Sequence, residues 1–275
     1  FRESFCPPER LNHEPTTIVL FQRSTTPFIE PRILSLMKTT YYRQFIPLWI
    51  CLIATLGCLA PCQATAQEKS VKPGINDRFN DPKLKVGEWV ERFEREGREV
   101  YDHRHAIMNG IGLKPGMTVA DIGAGTGFFT RMLAAKVGDS GKVVAVDIVP
   151  AFLSRIESMK KEEGLKNISS RLCSARSTKL PKASIDAAFI CDTYHHFEYP
   201  QETLKSIHKA LKPGGSIVLI DFHRIEGQSS DFIMKHVRAG REVFTAEIEA
   251  AGFEEVDEPV KLKENYVVRF RKKAR

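Results

Sequence analysis

The sequence predicts an α/β domain in which helices cover both faces of a mostly parallel sheet that ends in an antiparallel hairpin. Three observations carry that prediction. After Gly112, short aliphatic runs alternate with longer amphipathic stretches, the pattern of strands joined by crossover helices. A glycine-rich turn directly follows the first of those runs. Two extended runs close the chain.

The first strand is read over Thr118 to Ile122. It is followed by a helix from about Gly127 to Val137, where Phe128, Met132, Leu133 and Val137 recur at helical spacing. Gly138-Asp139-Ser140-Gly141 ends that helix. The second strand is Val143 to Val146. Pro150 then opens a helix bearing Phe152, Leu153, Ile156 and Met159, and Gly164 closes it. The third and fourth strands are Ser169 to Cys173 and Asp186 to Cys191. A helix from Gln201 to Leu211 meets the turn Lys212-Pro213-Gly214-Gly215, which hands the chain to a fifth strand, Ser216 to Asp221. A last helix, Phe244 to Ala251, is closed by Gly252, and extended runs around Glu254 to Val256 and Tyr266 to Phe270 form the hairpin. Upstream, Val86 to Met108 is strongly charged, with Trp89, Val90, Phe93, Val100 and Tyr101 at broadly helical spacing. It reads as one or two helices packed over the mouth of the sheet.

The 275 residues leave room for appendages, and these lie at the front. From Lys38 and Arg43 the chain enters the apolar run Phe45 to Ala60, reaches Ala64-Thr65-Ala66 and turns charged at Glu68. That order is the pattern of a secretory signal peptide, and the run is shorter than the roughly 20 residues a bilayer span takes. The expected organisation is therefore an upstream extension over 1–36, a signal peptide or signal anchor over 37–66, N-terminal cap helices over 67–112 and the core over 113–275. The expected location is exported, periplasmic or membrane-anchored, or cytoplasmic if the leader is not used. Membrane contact is expected only through an uncleaved leader. Only Cys173 and Cys191 fall in the core, too few for a disulfide framework, and they read as small core residues on neighbouring strands. Without residues 1–66 the chain keeps 35 basic against 30 acidic side chains. So small an excess does not point to a nucleic-acid partner.

Val119-Ala120-Asp121-Ile122-Gly123-Ala124-Gly125-Thr126-Gly127 sets three glycines at alternate positions between a strand and a helix. Without Cβ atoms the backbone can turn tightly and approach a ligand. The dinucleotide pattern G-x-G-x-x-G wants glycine or alanine where this chain has Phe128, which weakens the nicotinamide reading. Further on come Val146-Asp147, Leu180-Pro181 leading to Ile185-Asp186, and Leu211-Lys212-Pro213-Gly214-Gly215. In this order the motifs resemble the class I S-adenosylmethionine-dependent methyltransferases, within them the small-molecule group related to the ubiquinone-biosynthesis methyltransferases.

The resemblance covers about Gly112 to Phe270 and implies a Rossmann-like, mostly parallel seven-stranded sheet. It implies S-adenosylmethionine as cofactor and a small-molecule methyl acceptor. Gly123, Gly125 and Gly127 would line the methionine and ribose portions, and Asp121 would support the turn and the methionyl ammonium. Asp147 would accept hydrogen bonds from both ribose hydroxyls, Ile148 would lie against the adenine, and Asp192 would sit near the methionine moiety. Where many relatives carry an acidic residue and alanine for the adenine amino group, this chain has Ser174-Ala175, and a serine hydroxyl is the weaker acceptor.

A sulfonium methyl is already activated, so positioning does most of the catalysis. A base is needed only when the acceptor must lose a proton. The candidate bases are His195 and His196, just past the fourth strand, with Tyr101 as a pocket-closing candidate. Asp221 and His223 could also face the acceptor. No metal is expected, because adjacent histidines should point apart and no third ligand has a diagnostic spacing. The alternative function is a non-catalytic module that binds S-adenosylmethionine or a partner on the same fold. Nucleic-acid methylation is disfavoured, since Asp192-Thr193-Tyr194-His195 stands where an Asn-Pro-Pro-Tyr-like motif would be.

Overall fold

The computed structural model describes residue 67 and residues 69–274. The upstream extension and the leader expected over 37–66 lie outside the described residues. Seven strands form one sheet: β1 (Thr118–Ile122), β2 (Lys142–Asp147), β3 (Ile168–Leu172), β4 (Ile185–Cys191), β5 (Leu211–Phe222), β6 (Phe253–Lys261) and β7 (Asn265–Lys272). Their order is β3-β2-β1-β4-β5-β7-β6. The first five run parallel, while β7 pairs antiparallel with both β5 and β6. This is the predicted parallel sheet with its terminal hairpin, and β7 rather than β6 joins the body of the sheet.

Eight helices accompany it among the described residues: α1 (Val86–Phe93), α2 (Glu99–Asp102), α3 (Arg104–Gly110), α4 (Phe128–Val137), α5 (Pro150–Glu162), α6 (Pro200–Ala210), α7 (Asp231–His236) and α8 (Arg241–Ala250). Central strands flanked by helices bury both faces, which is why β1 and β4 read as continuous apolar runs rather than alternating ones. Leu133, Ile156 and Met159 of α4 and α5 pack with Val119 and Phe189 on one side. Leu204, Ile207, Phe244 and Ile248 of α6 and α8 pack with Ala120, Ile190 and Leu219 on the other. Each such aliphatic or aromatic side chain withdrawn from water contributes about 1.5–3 kcal/mol, so both helical layers are firmly seated.

Three local readings differ from expectation. The turn Lys212 to Gly215 is a bulge inside β5: Ile185 faces Leu211, yet Ala187 already faces Ser216. Pro213 has no N–H for the ladder, and Gly214 arches the backbone at φ +72°. The charged segment before the core makes three short helices, interrupted at Gly97 with φ +82°. Only α1 packs toward the mouth, through Trp89 with Val149 and Phe152, whereas Ile107 and Met108 of α3 join the α4 side of the core. The six-residue α7, capped by the Ser230 hydroxyl accepting the Ile233 N–H at 3.3 Å, is too short for a periodicity to reveal.

Candidate functional site

The sheet order reverses between β1, which leads to β2, and β4, which leads to β5. In open α/β sheets the ligand crevice lies at that switch point, beyond the carboxyl ends of the strands. Here a cavity of about 440 Å³ opens there, walled by the glycine turn, Asp147 to Val149, Cys173 to Ala175, Cys191 to Thr193 and the segment from Asn76 to Arg98. That volume suits a small organic ligand.

Gly123 (φ +73°) and Gly125 (φ +52°) stand on the wall in left-handed backbone. A Cβ at Gly123 would collide with Thr193, lying 2.6 Å from its hydroxyl oxygen. The third glycine has a different task from the one expected. Gly127 is absent from the cavity wall. It starts α4 at φ +87°, and a Cβ there would stand 2.8 Å from Ile156 Cγ1 of α5. Its missing side chain serves helix packing.

Asp147 ends β2 and shapes the turn: Oδ2 accepts the Gly125 N–H at 2.8 Å and Oδ1 the Val149 N–H at 2.9 Å. Asp121 ends just before the turn, its Oδ2 accepting the Thr130 hydroxyl at 2.6 Å. Neither carboxylate forms an ion pair among the described residues. Burial therefore pushes Asp121 up to about 7 and Asp147 up to about 6, against the hydrogen bonds they accept. Beside them, the buried Thr126 hydroxyl oxygen has no hydrogen-bond partner. Such groups are completed by a ligand bringing a cation to Asp121 and hydroxyl donors to the second lone pairs of Asp147. An amino-acid ammonium and a ribose supply both, so S-adenosylmethionine fits these residues. Ile148, Ser174 and Ala175 line the same cavity. The Ser174 hydroxyl donates weakly to the Ser177 carbonyl at 3.4 Å, which leaves its lone pairs for a ligand amine.

Asp192 is on the wall but already engaged. At φ +48° its carboxylate accepts Arg98 Nη2 at 2.7 Å and Asn265 Nδ2 at 2.8 Å. Burial raises its pKa and Arg98 opposes the rise. Arg98 also donates from Nη1 to the Phe93 carbonyl at 2.7 Å. No sequence signal marks Arg98 or Asn265, because they come from either end of the domain and meet only in the fold.

At the other end of the cavity a single 3-10 turn, Tyr194–His196, presents the two histidines. His195, 2% exposed, is tied to Asp221 at the end of β5. Its Nδ1 lies 2.8 Å from Oδ1, and its N–H donates to Oδ2 at 3.1 Å. The carboxylate fixes the Nδ1–H tautomer and leaves Nε2 as an acceptor. Asp221 thus stands behind His195, fully buried, rather than facing the acceptor, and His223 packs against Tyr266 with ring centroids 5.5 Å apart. His196 Nδ1 lies 3.1 Å from Asn76 Oδ1, and Asn76 Nδ2 donates to the His196 carbonyl and to Glu198 Oε1, each at 3.0 Å. His236 of α7 comes alongside, its Nε2 3.3 Å from His196 Nε2. Burial is the main cause that pushes His196 down to about 2 and His236 to about 4, so both rings are uncharged at neutral pH. Phe79 joins this end to the aromatic cover over Ile148 and Val149: its ring lies 5.3 Å from His196 and 4.6 Å from Trp89, which packs with Phe152 and Val149.

Tyr101 does not line the cavity. Its ring stacks on Phe128 at 5.2 Å, with the Arg104 guanidinium 4.5 Å over it, so packing consumes the faces a pocket residue would offer. The two thiols do reach the wall, half-buried, but their strands are separated by β2 and β1 rather than adjacent. Burial pushes Cys173 up to about 12 and Cys191 well above its usual value, so neither is a ready thiolate.

Comparison with known proteins agrees with this geometry. Over 115 residues the chain is 37% identical to the ubiquinone/menaquinone biosynthesis C-methyltransferase of Legionella pneumophila (strain Paris), covering 40% of this chain and 44% of that protein. The corresponding protein of Hydrogenovibrio crunogenus is 29% identical over 123 residues, 44% of this chain and 48% of its own length. The chain therefore spans less than half of each of these relatives. The crystal structure of an S-adenosylmethionine-dependent methyltransferase from Aquifex aeolicus superposes with a TM-score of 0.61 at 25% identity, covering 69% of this chain and 99% of that one. The [4+2]-cyclase SpnF shares the fold, with a TM-score of 0.55 at 17% identity over 65% of this chain and 84% of its own. Residues 113–267, more than half of the sequence, match the family model of the methyltransferase domain, and the chain belongs to that family of S-adenosylmethionine-dependent enzymes.

Proposed function

We propose that this protein transfers the methyl group of S-adenosylmethionine to a small molecule held beneath the Phe79, Trp89 and Phe152 roof. The observation that carries the reading is the pair of buried carboxylates, Asp121 and Asp147, that face one cavity without a cationic side chain to neutralise them. The cofactor supplies, when bound, a methyl group on a positively charged sulfur. The residues of this chain do the rest. Asp121 takes the ammonium, Asp147 the ribose hydroxyls, and Ile148 with Ser174 and Ala175 the adenine. The aromatic roof excludes water, and an acceptor pinned there against the methyl group needs little further assistance. His195, oriented by Asp221, offers Nε2 to a proton leaving the acceptor. The names of the matched relatives and the aromatic lining together favour a flat, apolar acceptor.

A non-catalytic binding module on the same fold is the alternative, and the SpnF likeness shows that this fold is not tied to one chemistry. Calorimetry on the full 275-residue chain tests the cofactor site. We expect micromolar binding of S-adenosylmethionine, about 8 kcal/mol, that weakens about 100-fold in Asp147→Asn through loss of charge-assisted bonds worth about 1.5–3 kcal/mol each. A folded parent that binds no cofactor overturns the proposal. Binding without turnover on any screened acceptor favours the module. We also propose export through residues 37–66, supported by the order of basic, apolar and small residues there; cell fractionation that leaves the whole protein in the cytosol would reject it.

A further inference from the structure

We propose that His195, His196 and His236 form a three-imidazole site for a zinc-class divalent cation, beside the position of methyl transfer. One ligand atom from each ring lies within 4.8 Å of the others. The expectation that adjacent histidines diverge does not hold here. The 3-10 turn sets the His195 and His196 rings side by side, with centroids 4.4 Å apart, and α7 brings the third ring 5.0 Å from His196.

The hydrogen bonds around the cluster decide which nitrogens are free. Asp221 holds Nδ1–H of His195, leaving the Nε2 lone pair. Both Asn76 amide hydrogens are used on the His196 carbonyl and Glu198, so its Oδ1 is an acceptor and His196 Nδ1 must carry the proton. Its Nε2 lone pair then faces His236 Nε2 at 3.3 Å. Arg78 Nη2, which can only donate, approaches that same His236 nitrogen at 3.3 Å and calls for a lone pair there too. Two lone pairs would oppose each other across 3.3 Å. Sharing a cation removes the conflict. In tetrahedral coordination with metal–nitrogen bonds of about 2.0–2.1 Å, ligand nitrogens stand about 3.3–3.4 Å apart, which is the separation already present between His196 and His236.

A carboxylate behind a ligating imidazole raises its basicity and fixes its orientation, and Asp221 occupies that place behind His195. Three imidazole nitrogens select zinc and its late first-row neighbours over magnesium or calcium, which prefer oxygen. Completing the site needs the ligand atoms to draw in from separations of up to 4.8 Å and Arg78 to swing away from His236 Nε2. That arginine and Lys72, which donates to the His236 carbonyl at 2.6 Å, are the opposing charges. Three protein ligands leave a fourth position open to the cavity. Resting on the function proposed above, but with His195 Nε2 a ligand in place of the base, that position would take an acceptor hydroxyl or thiol: its proton passes to solvent, its lone pair forms the bond to the methyl carbon as the sulfur–methyl bond breaks, and S-adenosylhomocysteine leaves.

The site itself is tested without cofactor. The full chain, stripped with a chelator, is titrated with zinc and with cobalt(II). We expect one zinc bound per chain, and a visible ligand-field band of tetrahedral cobalt. His236→Gln, on the short surface helix α7, should weaken zinc about 100-fold, at least the loss that removing a partner behind a ligand causes, with its thermal midpoint confirming that it folds. Asn76→Ala should weaken it by about 10-fold or more on the same grounds. No zinc retained by the parent, or equal retention by His236→Gln, overturns the site. S-adenosylmethionine binding measured on the same preparation separates that failure from failure of the cofactor reading.

Discussion

With the ammonium on Asp121 as proposed, cofactor affinity depends on pH in a direction set by the burial of that carboxyl. In the empty fold its carboxyl, 3% exposed and without a cation, titrates at about 7. An ammonium bound against it requires the ionised form, so binding must expel the proton. Between pH 7.5 and pH 5.5 a group with a pKa of about 7 goes from mostly ionised to about thirty parts protonated for each part ionised. The expected loss of affinity is about 25-fold, or about 2 kcal/mol. Asp147, at about 6, steepens the fall by about fourfold because a protonated carboxyl loses an acceptor for the ribose. The ligand ammonium itself deprotonates near about 7.7–8.0, which places the optimum between pH 7 and 8. Stability of the empty fold runs the opposite way. Both pKa values are raised on folding, so their contribution is fully present below about pH 4 and is lost as pH rises through about 6 to 7. Cofactor should therefore raise the thermal midpoint most above neutrality. Calorimetry at pH 5.5, 6.5 and 7.5 in two buffers of different ionisation enthalpy measures both the affinity and the protons released. Affinity that stays flat across this range, or an equal slope in Asp121→Asn, refutes the assignment of the ammonium to Asp121.

Gly123→Ala adds a Cβ at φ +73° against Thr193; we expect a loss of about 2–4 kcal/mol from left-handed strain and overpacking. Urea unfolding measures it, and a loss under about 1 kcal/mol would show that the turn yields more easily than its geometry implies. Arg98→Met strips the cation from Asp192. Breaking a buried pair costs about 3–5 kcal/mol, but Arg98 is 20% exposed and Asn265 stays bound, so about 2 kcal/mol is expected at pH 8. The deficit should shrink as pH falls and Asp192, its pKa already raised by burial, takes up a proton; a deficit that does not change with pH argues against a charge-based role.

The parallel core was legible because its signals are local. Aliphatic runs, Pro150 and Gly164 at helix ends, and alternating glycines each act within a few residues of where they stand. The same locality misled at Gly127, where the motif suggests a ligand but the neighbour is Ile156 of α5. It also misled at Tyr101, whose aromatic ring went to Phe128. The cofactor end, Asp121 and Asp147, sits on strand ends that pattern can place. The acceptor end does not. Asn76 and His236 reach it from a turn and a six-residue helix, through hydrogen bonds spanning 120 and 40 positions of chain, just as Arg98 reaches Asp192 across 94.

The roof over the cavity has a further consequence. Phe79, Trp89 and Arg98, with Asn76 beside them, all precede residue 113, where the family match begins. The stretch before the match thus contributes cover to a cavity whose carboxylates and histidines, with Phe152, come from the matched domain. Substituting Asn76 or Phe79 should change which acceptors are taken, whereas substituting Trp89 or Arg98 should disturb the cofactor end as well, through Val149 and Asp192. A fragment cut to the matched boundaries would keep Asp121, Asp147 and His195 but leave the cleft open to water where Phe79 and Trp89 stand.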